Sequence, residues 1–184
     1  VTVQNQEGVT TREYAQEQLA KVEITGKYLN GSTVIVEYQI ALRNEGELAG
    51  YVTDIIDYIP NDLRFSSELN KDWYEGSDGK LHNISLSNEL LEPGQEKVVD
   101  LVLIKTMTND NTGIVVNTAE INSDSNELGI VDIDSIPGNY NQGEDDISTA
   151  ELMISIKTGS EVTISIFVIG GALLILGIGI FIIR

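Results

Sequence analysis

Residues 162–183 read VTISIFVIGGALLILGIGIFII, a run of 22 residues without a charge, and no other feature restricts the architecture as sharply. As a helix it would extend about 33 Å at roughly 1.5 Å per residue, enough to cross a hydrocarbon core of about 30 Å. Its only polar side chains are Thr163 and Ser165, near the start. A helix on a water-soluble domain needs a polar face, and this run has none. The run therefore predicts a single transmembrane helix rather than a buried core helix, and its C-terminal place does not fit a secretory signal peptide. Four glycines lie within it, none four apart in a GxxxG pair, so helix dimerisation is not indicated. Arg184 follows directly and favours the inner side of the membrane, which places residues 1–161 outside.

What precedes the apolar run is acidic. The formal net charge is −18, and between Thr106 and Ile156 there are ten Asp and Glu but no Lys or Arg. Binding to a phosphate backbone draws on basic groups, so nucleic acid is excluded as a partner, and anionic headgroups would be repelled. There is no cysteine, which removes disulfides and thiolate metal sites. An external domain of this kind must rely on its core, on a metal or on another covalent device. Val1 is not an initiator methionine, and the chain is expected to be a mature or truncated part of something longer.

Along the chain, residues 1–18 are mostly polar and read as a linker or the end of a preceding module. From residue 19 the period is that of strands. Segment 20–24 alternates, Asn30-Gly31 marks a tight turn, and Val34, Val36, Tyr38, Ile40 and Leu42 alternate with smaller or more polar neighbours. Further strands are predicted at 51–59, at Leu63 and Phe65, and over 98–104, 113–121 and 147–156. The stretch 70–83, with Trp73, Tyr74 and His82, reads as loop. Short strands with turn signals every 8–12 residues or so predict an antiparallel β-sandwich over 19–156, then a juxtamembrane linker at 157–161.

Several of these segments carry a family resemblance. GSTVIVEYQIALRNEGELAGYVTDIIDYIPNDLRF (31–65), LEPGQEKVVDLVL (91–103) and VVNTAEI (115–121) follow one another in an order and spacing similar to the bacterial Ig-like conserved repeat of surface proteins, domain of unknown function number eleven. The resemblance implies an Ig-like sandwich acting as a stalk or spacer in an envelope protein, without enzymatic activity. The C-terminus likewise resembles a Gram-positive sorting signal. Ser155-Ile156-Lys157-Thr158-Gly159 precedes the apolar run, with Ile156 where such signals carry proline. Processing by a sortase would cut between Thr158 and Gly159, join the chain to peptidoglycan and discard the apolar segment; without it, the segment stays as the membrane anchor.

Two groups of residues suggest chemistry. In VDIDSIPGNYNQGEDD (131–146), Asp132, Asp134, Asn139, Glu144, Asp145 and Asp146 place six oxygen donors within fifteen residues. Calcium accepts six to eight oxygens in irregular geometry, and so many carboxylates in one ordered loop call for a counter-ion. The spacing is not that of an EF-hand, because Ile136 occupies the fifth position and Gly138 and Glu144 each come one residue late. A solvated acidic loop is the plain alternative. The second group is Lys21 and Asn117, with Asp54 or Asp57 as the acid, arranged as for the internal isopeptide bond known in Gram-positive Ig-like surface domains. The plain alternative there is an exposed Lys21 and structural roles for the others. For catalysis the sequence offers one histidine, His82, read as a surface residue, and no nucleophile elbow, phosphate loop or HExxH. The leading expectation is a cell-surface spacer displaying a distal part. The second is an adhesin that binds a glycan or a host protein near Trp73 and Tyr74.

Overall fold

A computed structural model describes the backbone of residues 2–5, 8–11, 21–25, 33–106, 113–132, 134–157, 163–169 and 174–178, with side-chain surroundings from 35 to 152 within that set. All of its regular structure is strand: β1 (Thr2–Asn5), β2 (Gly8–Thr11), β3 (Lys21–Thr25), β4 (Thr33–Asn44), β5 (Tyr51–Tyr58), β6 (Arg64–Phe65), β7 (Trp73–Glu75), β8 (Leu81–Asn83), β9 (Glu96–Thr106), β10 (Gly113–Ser125), β11 (Ile147–Lys157), β12 (Thr163–Ile169) and β13 (Leu174–Ile178). They form two sheets. In the first the order is β2-β1-β4-β9-β6, with β13 also on β4; in the second it is β3-β12-β11-β10-β5-β8-β7. Every pairing is antiparallel except that of β13 with β4.

The alternation in β4 explains how the sheets meet. Val36, Tyr38, Ile40 and Leu42 face inward, as do Val99, Leu101 and Leu103 of the paired strand β9. Opposite them lie Val52 and Ile55 of β5, Leu81 of β8, Val115, Ala119 and Ile121 of β10, and Leu152 of β11, in one buried apolar cluster. Each such aliphatic chain contributes about 1.5–3 kcal/mol relative to exposure. Trp73 belongs to this cluster at 3% exposure, and its Nε1–H donates to Asp100 O at 2.7 Å. The expected loop over 70–83 thus contains a short hairpin, β7–β8, that delivers Trp73 to the core and leaves Tyr74 exposed.

Two asparagines hold the connections. Asn44, wholly buried, donates to Leu48 O and Leu91 O and accepts from Gly46 N–H. Asn70 accepts from Val102 N–H and donates to Val102 O and Ser66 O, binding its loop to β9. A bulge interrupts the β10–β5 pairing between Ile121 and Asp124, so Asn122 has no partner on β5. Bulges re-aim side chains, and this one turns Asn122 onto Asp54.

The apolar C-terminal segment departs from the expected helix. Where it is described it is strand, Thr163–Ile169 along β11 and Leu174–Ile178 along β4, and no helix among the described residues is long and apolar enough to cross a membrane. Its Ile and Val content suits extended backbone, and that backbone pairs with β11 and β3 over Thr163–Ile169 and with β4 over Leu174–Ile178. The start of the chain also differs from a plain linker: β1 and β2 form a hairpin on the edge of β4. The Asn30-Gly31 turn, Thr158 and Gly159 lie outside the described residues.

Candidate metal centre

The connection from β10 to β11 folds over the outer face of the second sheet. Its attachment is mostly backbone: Gly138 N–H donates to Ile121 O, and Ile121 N–H to Asp146 O. Gly138 has φ 75°, and a Cβ there would stand 2.5 Å from Asn122 Oδ1, so only glycine fits the crossing. Tyr140 also takes positive φ, at 59°, which lets its N–H donate to Glu120 Oε1 at 2.9 Å.

Of the six loop oxygens, three converge. Asp132, Asp134 and Asp145 each bring a carboxylate oxygen within 4.8 Å of the other two. Ser135 Oγ lies 2.6 Å from Asp132 Oδ2 and 3.3 Å from Asp145 Oδ1 and ties the two together. Repulsion shows in the proton affinities. A shared hydrogen bond with Asp132, then burial and the charges of Asp145 and Asp132, push Asp134 up to about 6. Burial and the charge of Asp132 also raise Asp145 and Asp124. Hard oxygen donors clustered this closely suit a hard divalent cation.

Glu144 and Asn139 do other work. Glu144 accepts from Ile136 N–H and from the amides of Asn139 and Asn141, led by the backbone bond, and its proton affinity falls accordingly. Asn139 Oδ1 accepts from Asn141 N–H. Both shape the loop. Asp146 turns under it, 2% exposed, with neither oxygen hydrogen-bonded. Burial first, and then the charge of Glu120, push it up to about 7. Glu120 itself is fully buried and accepts from Tyr58 OH as well as from Tyr140 N–H, while the Tyr58 and Tyr140 rings meet edge to face at 4.6 Å.

The isopeptide group is divided. Asp57 and Asn117 are both wholly buried in the core, Asn117 Nδ2 donating to Asp57 Oδ2 at 2.6 Å. Burial drives Asp57 up to about 7 against the opposing pull of that bond. Asp57 Oδ1, Asn117 Oδ1 and Tyr38 OH are buried without partners. Asp54 points away from the core, accepting from Asn122 Nδ2 at 2.7 Å and lying 2.8 Å from His82 Nδ1. Lys21 is on β3, separated from β10 by β12 and β11, and its register runs through Phe167 and Met153 to Ile114, not to Asn117.

His82 is not a surface loop residue. It lies on β8 with its side chain 14% exposed, Nδ1 on Asp54 and Nε2 3.1 Å from Asp78 Oδ1, and Tyr74 stacks on its ring. Burial opposes its charge, but the bonds to the two carboxylates outweigh that and raise its proton affinity. With both nitrogens occupied, the imidazole clamps β5, β8 and the 76–79 turn together. Sequence reading missed Glu120, Asn122 and Asp124. The first two stand on the outward side of β10, a position that reads as solvent, and only a covering loop makes them interior.

No family model matches the chain, and no curated protein or solved structure matches it.

Proposed function

We propose that this chain is the membrane-proximal spacer of a bacterial cell-surface protein: a non-catalytic, Ig-like β-sandwich held at the envelope by residues 162–183 and stiffened by calcium in its acidic loop. One observation carries the reading, the uncharged 22-residue segment that follows directly on an acidic two-sheet domain. In hydrocarbon each backbone N–H must find its acceptor within the segment, which favours a helix for residues 162–183 in lipid. Residues 1–161 then stand outside, where a net charge far from zero keeps a displayed domain soluble. The motif ending in Lys157-Thr158-Gly159 adds a second route to the wall, through sortase cleavage.

The test is alkaline carbonate extraction of bacterial membranes carrying the full chain. The full chain is expected in the pellet, with residues 1–161 open to protease added outside intact cells. Release of the full chain into the carbonate supernatant sinks the anchor. A product ending at Thr158 and linked to peptidoglycan replaces permanent anchoring with sorting.

A second reading, an adhesin, is favoured by an open cleft of about 530 Å³ between the bulged end of β10 and the acidic loop. Its rim carries Val131 and Ile136, 77% and 66% exposed. On that reading Ile136→Asp lowers attachment of the bearing cells to a host matrix at least tenfold; unchanged attachment leaves the spacer alone.

A further inference from the structure

We infer that the loop's cation sits beneath it, between Glu120 and Asp146, and that the more open carboxylates of half-buried Asp132 and exposed Asp134 and Asp145 form its approach. This rests on the reading that the acidic loop takes calcium and specifies where. Asp146 is 2% exposed, and neither of its oxygens has a hydrogen-bond partner. A buried carboxylate with no donor and no counter-ion is among the most costly arrangements a fold can hold. The nearby donors are already used. Tyr58 OH and Tyr140 N–H both go to Glu120, and Lys80 lies over the Tyr58 ring, 4.9 Å from its centroid, and 3.8 Å from Asp78. The exposed carboxylates are better served, since water and the Ser135 hydroxyl reach Asp132 and Asp145.

The chemistry of the donors names the ion. Asp146 offers two free oxygens, each Glu120 oxygen keeps a lone pair beyond the one bonded, and the Tyr58 oxygen lies alongside. No sulfur is present in the chain as cysteine, and the one imidazole, His82, is held by Asp54 and Asp78. All-oxygen donors in an irregular, partly dry site favour calcium over magnesium, which keeps most of its water. Filling the site would fasten the loop to β10 through side chains as well as through Gly138 and Ile121.

The experiment is a thermal-shift titration with calcium chloride on chelator-treated full chain in detergent micelles, as wild type, Asp146→Asn and Asp132→Asn. Calcium is expected to raise the melting temperature of wild type and Asp132→Asn and to leave Asp146→Asn unmoved. A shift kept in Asp146→Asn and lost in Asp132→Asn overturns the inference while leaving calcium binding intact. No shift in any of the three overturns both. Should Asp146→Asn fail to fold, amide shifts of the wild type decide. At one equivalent of calcium the largest are expected at Tyr140 and Ile121; largest shifts at Asp134 and Ser135 overturn the assignment.

Discussion

Asp57 is the residue whose position is hardest to reconcile with its chemistry. It is a wholly buried carboxyl in an apolar cluster, raised to about 7 from an ordinary 3.8. The folded state therefore holds a proton that the unfolded chain releases between those values. Stability is complete below the unfolded value and declines as pH climbs to about 7, by as much as about 4 kcal/mol in all. Asp57→Asn removes the titration and supplies an amide donor for the orphaned Asn117 Oδ1. Between pH 4 and 8 urea midpoints of the variant should fall less steeply than those of the wild type, the remaining slope coming from the raised Asp134, Asp146 and His82, and should lie above the wild type at pH 8. A wild-type slope surviving in the variant would assign the effect elsewhere. His82 works in the same direction over a higher window. Its raised affinity, held by Asp54 and Asp78, gives stability that is full below its unfolded value of about 6.5 and is lost as pH passes the folded value. In His82→Gln the decline above that point should become shallower, the remainder belonging to Asp57 and Asp146, as read from the same urea midpoints. Asn117 could be grouped in sequence with either Asp54 or Asp57, because all three stand on predicted strands, but which acid meets it could not be read there; the structure pairs it with Asp57. Their separation from Lys21 was not legible either, since strand order is not written in strand period.

At the scale of elements, the long strands announced themselves, and so did the short β3 and β6, but the β7–β8 hairpin did not. The alternation of Val36, Tyr38, Ile40 and Leu42 marked β4, and β5, β9, β10 and β11 were readable within a few residues of their ends. The β7–β8 hairpin escaped because three residues per strand cannot show a period, although Asp78-Gly79 is a turn signal. The acidic loop was legible as a donor-rich segment but not as a cover, because its attachment runs through backbone bonds and the bulge at Asn122. That attachment gives a sharp expectation. Gly138→Ala forces a left-handed conformation on a residue with a Cβ and drives that Cβ against Asn122. It should cost about 2 kcal/mol or more, seen as a drop in melting temperature and faster amide exchange at Ile121. Gly129→Ala, also at positive φ but with open space around its Cβ, should cost about 1 kcal/mol. Equal losses at the two positions would mean that the contact with Asn122 is not a constraint.

For the whole molecule, the question is how one segment serves two environments. Residues 163–169 lie between β3 and β11 in the second sheet, and residues 174–178 pair with β4 in the first. Among the residues whose side chains are described, the buried cluster is drawn from strands β4 to β11 and the loops among them. This part of the core is expected to persist when the segment leaves the sheets. A fragment of residues 1–161 is expected to melt cooperatively but below the full chain, because β3 loses its β12 partner, and with more tendency to associate through the uncovered edges of β11 and β4. The full chain in lipid nanodiscs is expected to show far-ultraviolet circular dichroism equal to that of the fragment plus about twenty helical residues. Amides of 163–178 should resist exchange more strongly there than in lipid-free buffer, because a helix in hydrocarbon opens at great cost. A difference spectrum of strand type, with the 163–169 amides protected through their pairing to β11, would show that the strand pairing persists in lipid. The apolar segment would then be part of the sandwich, and attachment to the envelope would have to come from elsewhere in the chain.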